Sequence, residues 1–189
     1  MPFLQSAEKE GIYSMMDFEL ENAVAILGRT PELLKTWLQD LPEPWVYNND
    51  GEGTWSAFDV VGHLIQGDRA DWIPRMQLIM SSGGIKEFEP FDRFAQFEAS
   101  KGKSIADLLS TFEELRQANL SVLSESVLQE SDYERTGKHP KLGILNLRQL
   151  LSTWVAHDLN HLGQIAEVMA RQYKEEVGPW KVYLGILGD

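Results

Sequence analysis

The sequence predicts an all-α protein, a four-helix bundle with a short helical tail at its C-terminal end. Apolar side chains recur every three or four residues in four long segments, which is the period of an amphipathic helix. Three of these segments open with a helix-capping sequence, and only residues 45–47 indicate a short extended piece. Because long amphipathic helices bury their apolar faces against one another, these observations favour a bundle.

The first segment, residues 17–41, is predicted to be one kinked helix or two short ones. Gly28 interrupts the pattern, and Thr30 followed by Pro31 restarts it. We expect Thr30 to be the N-cap and Pro31 the first helical residue, since proline is tolerated where the backbone N–H has no helical partner. The sequence Leu41-Pro42-Glu43-Pro44 then ends the segment.

The second segment covers residues 56–81. Ser56 and Asp59 have the spacing of a capping box, and the Ser-Gly sequence at residues 81–84 ends the helix. Pro74 is expected to kink its later half because proline removes a backbone donor.

The third and fourth segments cover residues 104–127 and 146–176. Each begins with a capping sequence, and the fourth is expected to end at Gly178-Pro179. A linker of about twenty residues precedes the third segment, and a loop rich in glycine and lysine precedes the fourth.

Composition sets limits on function. The chain has 189 residues, 43% of them hydrophobic, so we expect a single domain, residues 1–189, with a large core. Its net charge of −12 disfavours binding to nucleic acid or to an anionic membrane. The lack of cysteine excludes disulfides, thiolate metal sites and a protein thiol nucleophile. With neither a spanning apolar run nor a signal peptide in residues 1–16, we expect a soluble cytoplasmic protein.

Three of the four histidines, His63, His157 and His161, lie in predicted helices. The inward face of the fourth helix has the spacing of one helix stripe: Leu150, Trp154, His157, His161, Ile165, Val168. Residues four apart project in the same direction, so two imidazoles can reach one metal ion there. His63 lies on a largely apolar face of the second helix. We therefore predict that His63, His157 and His161 share one divalent cation.

Other interpretations of the histidines stay open. A buried histidine often only hydrogen-bonds to a backbone carbonyl or a carboxylate, and His139 is expected to have a structural role in its loop. The HDLNH sequence at residues 157–161 is not the zinc-protease motif, because Asp158 replaces the glutamate base. A di-iron site needs glutamates three residues before its histidines, where this chain has Trp154 and Asp158.

These residues resemble those of the DinB/YfiT-like superfamily of metal-dependent four-helix bundles. The resemblance rests on a spaced pattern of histidines, with supporting stretches at residues 27–34, 55–68, 138–143, 147–165 and 178–180. It implies an up-down-down-up bundle, commonly dimeric, that binds nickel or zinc through His63, His157 and His161. Its relatives include thiol-dependent S-transferases that use bacillithiol, mycothiol or glutathione, and a thiol-dependent isomerase.

The leading functional hypothesis is a metalloenzyme with S-transferase-like activity, in which the ion activates the thiol of a small cofactor, in preference to water, to attack a small electrophile. The alternatives are a metal-dependent hydrolase or lyase and a non-enzymatic bundle that binds a metal or a small molecule. Asp158 and Asn160 are expected to be exposed or to contact a second subunit. The candidates for binding an anionic cofactor are all expected to be solvated surface charges: Arg69, Arg75, Lys138 and Arg148. Five aromatics could line the pocket mouth, with core packing the default: Trp45, Trp55, Trp154, Trp180 and Tyr183.

Overall fold

A computed structural model describes residues 16–81 and 83–188 and confirms the predicted all-α four-helix bundle. The helices are α1 (Leu20–Leu27), α2 (Thr30–Leu38), α3 (Glu43–Tyr47), α4 (Ala57–Ala70), α5 (Trp72–Met80), α6 (Ala95–Ser100), α7 (Ile105–Glu125) and α8 (Leu147–Arg171). A two-stranded sheet, β1 (Thr136–His139) and β2 (Gly143–Asn146), precedes α8, and short 3₁₀ turns cover Glu130–Glu134, Gly178–Tyr183 and Gly185–Leu187. The prediction about a signal peptide falls mostly on residues 1–15, which lie outside the described residues.

The bundle core has two apolar clusters separated by a polar layer. One cluster surrounds Trp154 and the other surrounds Phe112. Between them, each bundle helix contributes a polar residue to the layer: Thr30 from α2, Asp68 from α4, Arg116 from α7 and Asp158 from α8. Since apolar residues on both sides exclude water, every polar atom in this layer needs a protein partner or a ligand.

The first and second predicted segments are each divided into two helices. The prediction for Thr30 is wrong in detail: it is the first helical residue, and its hydroxyl donates to Asp158 (2.7 Å) instead of capping. In the second segment the break lies at Asp71, three residues before Pro74. The ring of a proline also clashes with the carbonyl four residues earlier, which for Pro74 is that of Ala70. The helix therefore breaks at the residue that follows this clash.

Three further predictions need correction. Residues 45–47, expected to be extended, lie in α3, because Pro44 is compatible with a first helical turn. The linker before α7 contains α6, whose buried Gln96 and Ser100 lie against α4. Helix α8 ends at Arg171 and not near residue 176, and turns lead from there to Gly178.

The loop before α8 is an antiparallel hairpin. Thr136 pairs with Asn146, and His139 pairs with Gly143, whose φ of +79° favours glycine. At Gly137 a Cβ atom would lie 2.4 Å from the Phe88 ring, so only glycine fits there. Glycine, lysine and proline are turn and surface residues, which is why the sequence pattern predicts a loop.

Within residues 16–81 and 83–188, no helix is both long and apolar enough to span a bilayer.

Candidate metal centre

His63 on α4 and His157 and His161 on α8 converge at one point, as the sequence predicts. The Nε2 atom of His157 lies 3.3 Å from that of His63 and 3.1 Å from that of His161. The three candidate ligand atoms all lie within 4.8 Å of one another. The helix geometry of α8 brings His157 and His161 together, and packing of α4 on α8 adds His63.

Burial keeps the three imidazoles neutral. Burial and, to a smaller extent, the neighbouring His161 lower the pKa of His63 to about 4. Burial and, to a smaller extent, the other two histidines lower the pKa of His157 to about 3. The pKa of His161 is lowered for the same principal reason. Neutral imidazole is the form that binds a metal, so the cluster is in the ligating state at neutral pH.

Gln164 fixes the orientation of His161. Its side-chain oxygen lies 2.7 Å from His161 Nδ1, so this nitrogen carries the proton and Nε2 presents its lone pair to the cluster. Metal-binding histidines commonly have such a partner on the other ring nitrogen. Gln164 lies in the stretch 147–165 that supports the family resemblance, but only the structure shows its contact with His161.

Two other ring nitrogens lack a partner among the described residues. The Nδ1 atoms of His63 and His157 are buried without a hydrogen bond. The fully buried Gln96 lies close enough to His63 to raise its pKa slightly, although neither of its amide atoms has a partner at hydrogen-bond geometry. A metal ion bound at Nε2 would not be a partner for these Nδ1 atoms. Because buried polar atoms that lack partners are rare in native proteins, we expect Gln96 and ordered water to satisfy them.

The donor set fits a divalent metal ion. Imidazole nitrogens about 2.0–2.1 Å from zinc would lie about 2.9 Å apart at a right angle and about 3.4 Å apart at the tetrahedral angle. The two shorter Nε2 separations, 3.1 and 3.3 Å, fall within this range. Three neutral imidazoles also form a ligand type that zinc, nickel and copper accept.

Asp158 is neither exposed nor available for a subunit contact, which corrects the expectation from sequence. Its side chain is fully buried, and Arg116 of α7 forms ion pairs with both Asp158 and Asp68. Arg116 also donates to the backbone carbonyl of Leu27 at 2.9 Å, and Thr30 donates to Asp158. Burial alone would lower the pKa of Arg116, but the two carboxylates raise it above its ordinary value. This network joins the bundle helices directly beside His157.

A cavity of about 570 Å³ opens onto the three histidines. Trp55 packs on His63 with ring centroids 4.9 Å apart, and Phe91 contacts the same imidazole edge-on at 5.7 Å. His139 lies in the cavity wall and also has the predicted structural role, because its Nδ1 accepts from the backbone of residues 141 and 142. Asn160, exposed as expected, lines the same cavity.

One of the four expected cations lies in the cavity wall. Arg75 lines the cavity, but it is buried and not solvated, and it forms an ion pair with Asp71. Arg69, Lys138 and Arg148 do not line the cavity, and the last two form ion pairs with glutamates elsewhere. Arg93 lies in the cavity wall, although the sequence analysis did not identify it. It lies in a linker without helical periodicity, so no sequence signal could have placed it there.

Of the aromatics expected at the pocket mouth, only Trp55 lies there. Trp154 is buried in the core and stacks on Trp72 at 5.8 Å. Trp45 packs against Tyr173, whereas Trp180 and Tyr183 are exposed on the C-terminal tail.

Comparisons with known proteins agree with this architecture. The sequence profile of the DinB superfamily matches residues 26–165. The chain is 26% identical over 144 residues to a protein of Oceanobacillus iheyensis named "Putative metal-dependent hydrolase", which covers 75% of this chain and 81% of that protein. The fold is similar to that of YfiT from Bacillus subtilis, with a TM-score of 0.71 and 23% identity over 85% of this chain and 91% of that one. YfiT is described as "a probable metal-dependent hydrolase with an unusual four-helix bundle topology". Because the family profile matches most of its length, this chain belongs to the DinB superfamily.

Proposed function

We propose that the protein is a divalent-metal-dependent hydrolase that acts on a small molecule in the cavity beside α4 and α8. His63, His157 and His161 would be the metal ligands, and nickel or zinc the ion. One observation carries this proposal: three neutral imidazoles, two buried and one half-buried, direct their Nε2 atoms to one point, at separations of 3.1 and 3.3 Å from His157. The names of the similar proteins support hydrolysis as the reaction class.

The ligand set suits hydrolytic chemistry. When bound, a divalent ion with neutral ligands supplies a strong Lewis acid, which polarises a carbonyl or phosphoryl oxygen and acidifies water at neutral pH. Gln164 holds the His161 ring in the ligating tautomer. Trp55 and Phe91 cover His63 from the cavity side and limit the access of bulk water.

A thiol-dependent transferase is the second candidate, because it would use the same ion to activate a different nucleophile. The absence of cysteine requires that any such thiol come from a cofactor. The similar proteins are named as hydrolases, so water is the nucleophile that we propose. The thiol cofactor and the homodimer implied by the resemblance stay predictions.

Metal content and turnover test the proposal together. The protein should be purified without a histidine tag, loaded with zinc or nickel, and assayed on a panel of small esters, amides and phosphoesters with and without low-molecular-weight thiols. We expect hydrolysis without thiol, its loss on chelation and its return with metal. Turnover only in the presence of a thiol would favour the transferase, and turnover undiminished by demetallation would refute both.

A control variant separates ligand loss from general damage. Asn160→Ala removes an amide of α8 whose side chain has no recorded hydrogen bond to a described residue, and it should retain metal. His157→Ala should lose metal and activity while the helical signal in circular dichroism persists, because two apolar clusters hold the bundle together.

A further inference from the structure

We infer that Arg93 forms an anion-binding subsite beside the metal centre, so that the substrate carries a carboxylate or phosphate group next to the reacting bond. This inference rests on the proposed function, because it names the substrate class of the same site. It is carried by the position of Arg93, by its lack of an acidic partner and by the charges of the other cavity residues.

Arg93 lies one aromatic ring away from the histidines. Its guanidinium carbon is 5.3 Å from the centroid of the Trp55 ring and 5.4 Å from that of Phe94. Trp55 in turn packs on His63 at 4.9 Å. The charge of Arg93 also contributes to lowering the pKa of both His63 and His161, although burial is the main cause for each. An anion on Arg93 would therefore lie close to the metal ligands.

The guanidinium of Arg93 has no polar partner among the described residues. It forms no hydrogen bond with them, and no carboxylate of residues 16–81 or 83–188 lies within 4.0 Å of it. The guanidinium lies over the Trp55 and Phe94 rings, and because Arg93 is exposed its N–H donors are open to solvent and to a ligand. Arginine presents these donors as a planar fork that matches two oxygens of a carboxylate or phosphate.

The remaining cavity residues do not neutralise this charge. Within the described residues, Asp71 is the only acidic side chain in the cavity wall, and it is already paired with Arg75. A divalent ion on three neutral histidines would add two positive charges. In a protein with a net charge of −12, this cavity would be locally positive, and a small anion is the complementary ligand.

The chain provides a matched control. Arg69 and Arg93 are the two arginines for which the structure records neither a hydrogen bond nor an ion pair to a described residue. Arg69 is exposed at the end of α4 and does not line the cavity. Arg69→Gln and Arg93→Gln therefore change the net charge equally, but only one changes the proposed subsite.

Linear dicarboxylates from malonate to adipate are suitable probes, each paired with the monocarboxylate of equal length. One carboxylate can occupy the metal centre, and only a dicarboxylate can also reach Arg93. 3-Phosphonopropionate, compared with succinate, distinguishes a phosphate-like group from a carboxylate. Calorimetric titration of zinc-loaded wild type, Arg93→Gln, Arg93→Lys and Arg69→Gln gives the affinities, and metal analysis gives the zinc content.

We expect Arg93→Gln to weaken the preferred dicarboxylate at least tenfold, to the level of the monocarboxylate, with zinc content unchanged. Arg93→Lys should recover part of the affinity, and Arg69→Gln should bind like wild type. A loss below threefold in Arg93→Gln, or equal losses in Arg93→Gln and Arg69→Gln, would overturn the inference. If wild type takes up neither zinc nor nickel, the proposed function fails, whereas Arg93-dependent binding of dicarboxylate to the metal-free protein would still support the subsite.

Discussion

The two polar regions of the bundle core lie side by side on α8 and differ in one respect. In the Arg116 network, the guanidinium donates to two carboxylates and a backbone carbonyl, and a threonine hydroxyl also donates to Asp158. In the histidine cluster, the Nε2 atoms of three neutral imidazoles face one another, at separations of 3.3 and 3.1 Å from His157. Both regions are buried, but only one is completed by the chain itself.

This difference separates a structural element from a binding site. A buried charge network with all its partners holds a fold together, and removing one member leaves an uncompensated charge. Imidazole Nε2 lone pairs that converge on one point repel one another unless a cation lies between them, so the histidine cluster indicates a ligand that the chain does not supply. His157 and Asp158 are adjacent in sequence, so the function of each depends on the side of α8 to which it projects.

Arg116→Met should produce the largest effect on folding. It leaves Asp68 and Asp158 buried without their cation, and burial already raises the pKa of Asp68 above its ordinary value. We expect the free energy of unfolding to fall by about 3–5 kcal/mol, as for other broken buried ion pairs. Urea denaturation measures this change. As a control, Lys35→Met, which breaks an exposed pair with Glu113, should change stability by less than about 0.5 kcal/mol. A loss below about 1 kcal/mol in Arg116→Met would remove the structural role of the network.

His157→Ala should have the opposite profile, a large loss of metal affinity with a smaller loss of folding stability. Removing a ligand should weaken zinc binding more than about 100-fold, the upper range for changes to residues that only orient ligands. Competition with a chelating dye measures the affinity, and urea denaturation of the metal-free protein measures stability. Unchanged zinc stoichiometry in His157→Ala/His161→Ala would exclude the centre.

Gln164→Leu tests whether the orientation of a ligand matters. His161 Nδ1 would lose its acceptor at 2.7 Å, and the ring could then turn or change tautomer. Zinc affinity should fall about 10–100-fold. Asn160→Leu, on the same helix and in the cavity wall, is the matched amide control and should bind zinc like wild type. Equal affinity in both variants would show that Gln164 does not support the centre.

The pH dependence of stability tests the same histidines in the metal-free protein. The pKa of His63 is about 4 and that of His157 about 3 in the folded protein, below the ordinary value of 6.5. The unfolded chain therefore binds more protons than the folded one below pH 6.5, and the stability of the metal-free protein should fall as pH decreases from there. This contribution is fully present above pH 6.5. The slope between pH 6.5 and 5 should be shallower in His157→Ala/His161→Ala, and an unchanged slope would contradict the assignment.

Much of the fold was predictable from sequence. Of the two polar regions of the core, the histidine cluster was predictable and the Arg116 network was not. The paired positions Ser56/Asp59, Ser104/Asp107 and Asn146/Gln149 all form the predicted capping boxes, because such contacts span only three residues. The five-residue helix α3 and the hairpin were missed. Their residues do not show the local pattern of the structure they adopt, and packing against Phe88 and the core decides them.

The sequence by itself determined the bundle helices and the shared face of His157 and His161, since the helical repeat fixes which residues project together. Only the tertiary structure decided the partners of Asp158 and Arg116 and the residues that line the cavity. Arg116 lies 48 residues from Asp68 and 42 from Asp158, and Thr30 lies 128 residues from the carboxylate to which it donates. No local pattern encodes contacts at such separations; they form when the apolar faces of the helices pack and bring these polar groups into one water-free layer.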